Sequence, residues 1–553
     1  MVVNTQVQKL IKGLNSLFRF AGSRFSFRKR NKLKYKNIHS LISFAKNQTL
    51  KSDYVRANTV TELFCSVQKF NQMIISQLQC ETRKKIPFTS DDLILPDALD
   101  GLVPMRFMAS TILKNVSTFA LPYKVRGRYF YSELAPKHAF KKEGMKIFYF
   151  TQKERLISGF GQFFEKIASC IGINLKVFHK FHYFKNDDKG KREVLRAHDM
   201  PIEVHPKKST SYWMGHSTCL INIPVLSSDN KSTAALTLIT DPVEKHINRF
   251  LYPRRTPIAR KIEDCPAIHV FLLSHNHLDH FMPSTIKKLL PLQPVMIVPE
   301  GNEKAFRKMG FQNVVSLSWW DWVTVDFEKN LKKYSIQICA VPANHWSGHG
   351  IFDTHKSLFC GYVLRTKNQE GDIYFSGDTA VLSQEHIDIM NEKFEFTTIF
   401  QPGGPDERRN ELKFTHQASC EAIIEYFRLI VIPLYQKHKD SLNKESFIES
   451  AKKRRVVFMH TNAYKLANIH FDDTKESCLR VFHALKAIIR EDRYTEKKEY
   501  QAMRFYEKEV FEKILEYAKS IHFARQSLTS QDVYEMLTAS FVFPKIGSRT
   551  QLF

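Results

Sequence analysis

A short, wholly apolar run, Val270–Leu273, leads directly into Ser274-His275-Asn276-His277-Leu278-Asp279-His280. Three imidazoles and a carboxylate in six residues at a strand end need more polar partners than such a place ordinarily supplies. A borderline-soft divalent cation accepts nitrogen and oxygen ligands together, and satisfies all of them at once. A lone histidine here would be read as structural, whereas the cluster points to a metal site.

Other His and Asp residues occupy equivalent places. Asp241 closes Leu236–Thr240, His345 follows Ile336–Val341, Asp378 follows Ile373–Phe375, and His460 follows Val456–Met459. Further short apolar runs, Val295–Val298 and Phe359–Leu364, read as strands, and helical spacing is present over Ser284–Leu290, Glu303–Met309, Gln417–Leu429 and Glu476–Ile489. Strands alternating with helices over this length predict an α/β architecture, in which strand ends deliver loop residues to one place. One site that gathers the whole set is the economical expectation.

The chain has 553 residues and a formal charge of +27. Residues 1–209 hold 38 Lys+Arg against 16 Asp+Glu, a net of +22, and the rest hold 45 against 40, a net of +5. The basicity therefore lies ahead of the metal-ligand candidates, which disfavours nucleic acid as the partner of that site. Before Asp53 there are twelve Lys/Arg and no acidic residue, with Val7, Leu10, Ile11, Leu14, Leu17 and Phe18 at helical spacing. Three readings of this arm stay open: a segment lying on an anionic membrane surface, an organelle transit peptide, and a solvated arm. Delivery of the protein into a host cell is a further idea with no motif behind it.

Nine cysteines without a CxxC pair predict reduced thiols in a cytoplasmic setting, not a disulfide frame or thiolate zinc site. No apolar run is long enough to span a bilayer, so the expectation is a protein peripheral to a membrane at most. Four segments are expected: a basic arm, 1–52; an extension of unknown fold, 53–205, with aromatic strands at Tyr129–Tyr131 and Phe148–Phe150, a helix at Leu156–Ile171 and a charged loop at 185–196; a catalytic domain, 206–490; and a helical tail, 491–553, whose Met503, Tyr506, Val510, Ile514 and Tyr517 form a docking stripe.

His-x-His-x-Asp-His followed by a distant His, Asp and His resembles the ligand order of the metallo-β-lactamase superfamily. Trp213-Met214-Gly215-His216-Ser217-Thr218, Thr240-Asp241-Pro242, Ser318-Trp319-Trp320, His345-Trp346, Ser376-Gly377-Asp378-Thr379, His416-Gln417 with Glu421-Ala422, and Met459-His460 with Leu466-Ala467-Asn468 narrow the resemblance. They are similar to the N-acyl-phosphatidylethanolamine-hydrolysing phospholipase D branch and its bacterial relatives, over about residues 210–490. The resemblance implies a four-layer αββα sandwich for that stretch; the N-terminal basic α+β extension and the C-terminal helical tail are expected from composition and apolar spacing alone. It also implies two zinc ions, with manganese or iron as alternatives: one held by His275, His277 and His345, the other by Asp279, His280 and His460, with Asp378 between them and a bridging hydroxide as nucleophile. Asp241 corresponds to an aspartate that orients a metal-bound histidine, and His416 to a histidine that acts on the leaving group, against a structural role at a helix start.

For His216 and His349 a place lining the site and an ordinary structural role stand side by side. Arg408 or Arg409 is a candidate phosphate partner, against a solvated loop. Two departures from the branch, Gln401–Arg409 and Thr461-Asn462, fall where substrate should be contacted. The function expected is hydrolysis of a phospholipid phosphodiester. Hydrolysis of a small soluble lactone or sugar phosphate is the alternative, a nuclease is less favoured, and a scaffold retaining a structural metal fits the complete ligand set poorly.

Overall fold

The computed structural model describes residues 208–552, with short interruptions of which 248–253, 407–411 and 465–472 are the longest, and three short strands ahead of them. The arm 1–52, the helix expected at 156–171, the strand at 148–150 and the loop at 185–196 lie outside the described residues.

The strands are β1 (Val103–Pro104), β2 (Tyr123–Val125), β3 (Arg128–Phe130), β4 (Thr210–Gly215), β5 (Thr218–Leu226), β6 (Thr233–Thr240), β7 (Val270–Leu272), β8 (Val295–Pro299), β9 (Val314–Leu317), β10 (Trp322–Lys329), β11 (Lys332–Val341), β12 (Gly361–Arg365), β13 (Asp372–Phe375), β14 (Phe396–Pro402), β15 (Arg455–Met459), β16 (His522–Phe523), β17 (Gln526–Ser527), β18 (Phe541–Val542) and β19 (Arg549–Gln551). Apart from the small pairs β2–β3 and β16–β17, they form two sheets. One runs β19-β4-β5-β6-β7-β8-β9, the other β1-β10-β11-β12-β13-β14-β15-β18.

Each sheet is half antiparallel and half parallel. β6 to β9 are parallel in the first sheet, and β13, β14, β15 and β18 in the second. The parallel strands are covered on both faces, which is why they read as near-continuous apolar runs. Period-two alternation decides which side chain goes where. Leu236, Leu238, Val270 and Leu272 enter the core shared with Ile336, Ile338, Ile373, Phe375 and Phe400 of the facing sheet. Ile239, Phe271, Met296 and Val298 point the other way, against Ile286, Leu289 and Phe306. These last come from helices at Pro283–Ile286 and Glu303–Met309 and the 3₁₀ turn between them.

Helices Gln384–Lys393, Ala422–Tyr426, Lys444–Lys452, Asp473–Ala487, Phe505–Ser520 and Ser530–Ser540 cover the outer face of the second sheet. The result is the four-layer αββα sandwich that the resemblance implies. Beyond the docking stripe, whose Tyr506, Val510 and Ile514 are buried, the C-terminal segment contributes to both sheets. β18 pairs with β15, and β19 pairs with β4.

Candidate metal centre

The turn after β7 is fixed before it presents any ligand. Ser274 donates from its backbone N to Asp241 Oδ1 (2.7 Å) and from Oγ to Asp241 Oδ2 (2.6 Å). Asp241 N donates to Leu272 O (3.0 Å), Cys360 N to Ser274 O (3.0 Å), and Tyr362 Oη to Leu273 O (2.7 Å). Backbone bonds from His280 and Phe281 to His277 O then curl the segment into a compact turn.

Three imidazole nitrogens converge on one side. His277 Nδ1 lies 2.8 Å from His275 Nε2 and 3.2 Å from His345 Nε2. The far nitrogen of His345, Nδ1, is 2.7 Å from Thr415 O and donates to it, so Nε2 carries the lone pair that faces the cluster.

Asp279, His280 and His460 meet on the other side. Asp279 Oδ2 is 3.7 Å from His280 Nε2 and 3.4 Å from His460 Nε2. His280 Nδ1 donates to Asp241 Oδ2 (2.8 Å), the geometry expected of a carboxylate that orients a metal-binding imidazole. Asp378 stands between the groups: its Oδ2 is 2.9 Å from His460 Nε2, 3.2 Å from His280 Nε2 and 3.9 Å from His345 Nε2. His416 Nε2 is also 3.9 Å away, on the more open side, where its side chain keeps 17% exposure.

Burial and the facing charges set the protonation states. Burial lowers His275 and His416 well below the usual imidazole range and takes His345 to about 4. Burial also opposes charge on His280 and His460, but the carboxylates outweigh it: Asp378, Asp279 and Asp241 raise His280 strongly, and Asp378 with Asp279 raises His460 to about 9. Burial works against the charge of Asp279 and Asp378 as well, yet the facing histidines hold both well below the carboxylate range. The Nε2 atoms of His280 and His460 are buried and make no hydrogen bond of proper geometry, although a carboxylate oxygen faces each within about hydrogen-bond distance. Nitrogen lone pairs and carboxylates aimed at common space are the donor chemistry of divalent transition cations, and the residues present fit such ions.

All seven expected ligands, with Asp241 and His416, thus come together. His216 is placed differently from a lining residue: it is 1% exposed, and its Nε2 is 3.0 Å from Asp279 Oδ2. Burial takes it to about 3, so it is neutral. His349 packs edge-on against Phe281 (5.3 Å), one residue past His280. Arg408 and Arg409 lie outside the described residues. Spacing and motif assign no role to Ser274, which links Asp241 to His275 Nδ1 (2.9 Å), or to Thr415. Trp346 stands in the His345-Trp346 motif with no task of its own there, whereas its ring stacks edge-on over His277 at 4.0 Å. Tyr464, 5.1 Å from the His216 ring, is likewise without a motif. Only its place four residues beyond His460 could have signalled it.

Two mixed sheets with a His/Asp cluster at their shared edge define a metallo-β-lactamase-type domain. Residues 237–433 match the family described as "Beta-lactamase superfamily domain", so the chain carries a domain of that superfamily, and it resembles the N-acyl-phosphatidylethanolamine-hydrolysing branch. It is 34% identical over 163 residues to the mitochondrial N-acyl-phosphatidylethanolamine-hydrolyzing phospholipase D of Saccharomyces cerevisiae, a match covering 29% of this chain and 34% of the yeast protein. It is 26% identical over 258 residues to N-acyl-phosphatidylethanolamine-hydrolyzing phospholipase D 1 of Caenorhabditis elegans, covering 44% of this chain and 68% of the worm protein. The matched stretch therefore spans about a third of the one relative and two thirds of the other. Among solved structures, Igni18, a metallo hydrolase from Ignicoccus hospitalis, is 14% identical, covering 49% of this chain and 91% of that one, with a TM-score of 0.32.

Proposed function

We propose that the protein is a metal-dependent hydrolase that cleaves a phosphodiester bond in a membrane phospholipid of the N-acyl-phosphatidylethanolamine class. The observation that carries the proposal is the meeting of two donor groups on one shared carboxylate, Asp378. His275, His277 and His345 would hold one cation, Asp279, His280 and His460 the other, with Asp378 common to both. Zinc suits these donors, and manganese or iron is compatible with them. When bound, such a pair supplies an activated water and Lewis-acid stabilisation of a phosphoryl group. The chain's own residues do the rest. Asp241 and Thr415 orient His280 and His345, and His416, beside Asp378 on the more open side, would pass a proton to the departing oxygen.

The substrate class is supported by the names of the yeast and worm relatives and by the amphipathic, acid-free arm, which would hold the enzyme at an anionic surface. No helix among the described residues is long and apolar enough to cross a membrane. The test is incubation with N-acyl-phosphatidylethanolamine vesicles, a lactone panel and single-stranded RNA, with His277→Ala as control. Release of phosphatidic acid that disappears in the variant is expected. Turnover of a lactone or of RNA in place of the lipid would overturn the substrate assignment.

A further inference from the structure

We infer that His216 is a positioning residue for the second cation: its side chain holds Asp279 and its carbonyl holds His460, so one turn sets two ligands that come from opposite sheets. This rests on the dinuclear reading above.

The turn joins β4 to β5, with Gly215 at φ 105° and His216 at φ 56°. It is held from behind by Arg254, whose Nη2 donates to Met214 O (3.1 Å) and whose Nη1 donates to Val243 O (2.9 Å). A Cβ on Gly215 would come within 2.5 Å of that Nη2 and displace it, and the positive φ strains any side chain there. His216 O accepts two hydrogen bonds, from Trp213 Nε1 (2.6 Å) and from His460 N (2.9 Å). The second fixes the backbone of a residue delivered by β15, in the other sheet. On its side chain, Nε2 donates to Asp279 Oδ2 (3.0 Å), the same oxygen that faces His280 and His460. The His216 ring also lies 4.1 Å from the His460 ring.

Asp279 needs such a hold more than its neighbours do. Its side chain is 14% exposed, whereas those of His280 and His460 are at 0% and 3%. The carboxylate is thus the least enclosed of the three groups, and the buried His216 ring is a hydrogen-bond donor that holds it.

The test is stepwise metal binding to the full chain, read by chelator competition and by the visible spectrum of the Co²⁺-substituted protein. His216→Asn suits the left-handed backbone but is too short to reach Asp279; His216→Gln restores a donor at the reach of Nε2. We expect His216→Asn to weaken the second equivalent by about 10- to 100-fold and to change its Co²⁺ spectrum, with the first equivalent near wild type. His216→Gln should recover part of the loss. A two-metal wild type whose His216→Asn form binds both equivalents normally, or weakens both equally, overturns the positioning role alone. A wild type that binds fewer than two ions overturns the dinuclear reading and this role with it. If His216→Asn does not fold, ¹⁵N-histidine spectra of the wild type decide: a protonated His216 Nε2 whose signal moves with the second Zn²⁺ equivalent and not the first supports the role, and any other pattern refutes it.

Discussion

Asp241 has no exposed surface and accepts three hydrogen bonds, from Ser274 N, Ser274 Oγ and His280 Nδ1. An amide there sets a donor against one of those donors. Asp241→Asn is therefore expected to weaken metal binding by about 10- to 100-fold with the seven ligands intact, as chelator competition would show. The protonation states give a second expectation. Without metal, His280 and His460 are held protonated at neutral pH by the facing carboxylates. A cation must displace those protons, so metal uptake at pH 7 should release acid, and affinity should fall as pH falls. Calorimetry in buffers of different ionisation enthalpy measures the release; uptake with no proton release would contradict the electrostatics. At this scale the candidate ligands are legible in the sequence because each follows an apolar strand, and a run as dense in imidazole and carboxylate as His275–His280 is hard to satisfy without a cation. Ser274, Thr415 and the inward role of His216 are not, because each acts through a backbone atom or a buried contact that only the fold creates.

The site is made by the approach of two strand-end turns from opposite sheets. Gly377 follows β13 with φ 60°, and a Cβ there would lie 2.5 Å from Ser274 Cβ in the turn after β7. Gly377→Ala should cost at least about 1–2 kcal/mol from the left-handed backbone alone. It should also weaken metal binding, because Ser274 cannot shift without disturbing Asp241; denaturant melts and metal titration on one preparation check both. Strands buried on both faces, such as β7, β8, β13 and β15, are legible to within a residue or two, since a continuous apolar run has no competing signal. β10, whose Trp322, Thr324 and Asp326 alternate with buried Val323 and Val325, and β14, interrupted by Thr397 and Thr398, escape that signal. The helix expected from Gln417 begins as a 3₁₀ turn at Ser419 and passes through a π-helical stretch at Phe427–Val431, a change of pitch that apolar spacing does not reveal.

In the whole molecule, the last residues close both sheets. Leu552 is fully buried, its N bonded to Ser209 O and its carbonyl to Thr398 Oγ1 (3.0 Å), and Ile546 is buried nearby. Truncation after Ser540 removes both side chains and two edge strands, and each large buried apolar side chain lost costs on the order of 2–5 kcal/mol. The truncated chain should melt well below the full one or fail to stay in solution; an unchanged melt would mean that the segment only decorates the sandwich. Apolar spacing predicts a docking helix here but not β18 or β19, because such short pairings carry no periodicity of their own. Charge is divided unevenly along the chain, with +22 of the net +27 in residues 1–209. Deleting 1–52 is expected to reduce sedimentation with anionic vesicles at low salt, an effect that should fade as salt is raised. The central claim, that the two sheets together hold a pair of cations, is tested most directly by the metal content of the purified protein beside that of His275→Ala. Close to two ions per chain, reduced in the variant, is the result predicted; one ion or none, unaffected by the substitution, would contradict it.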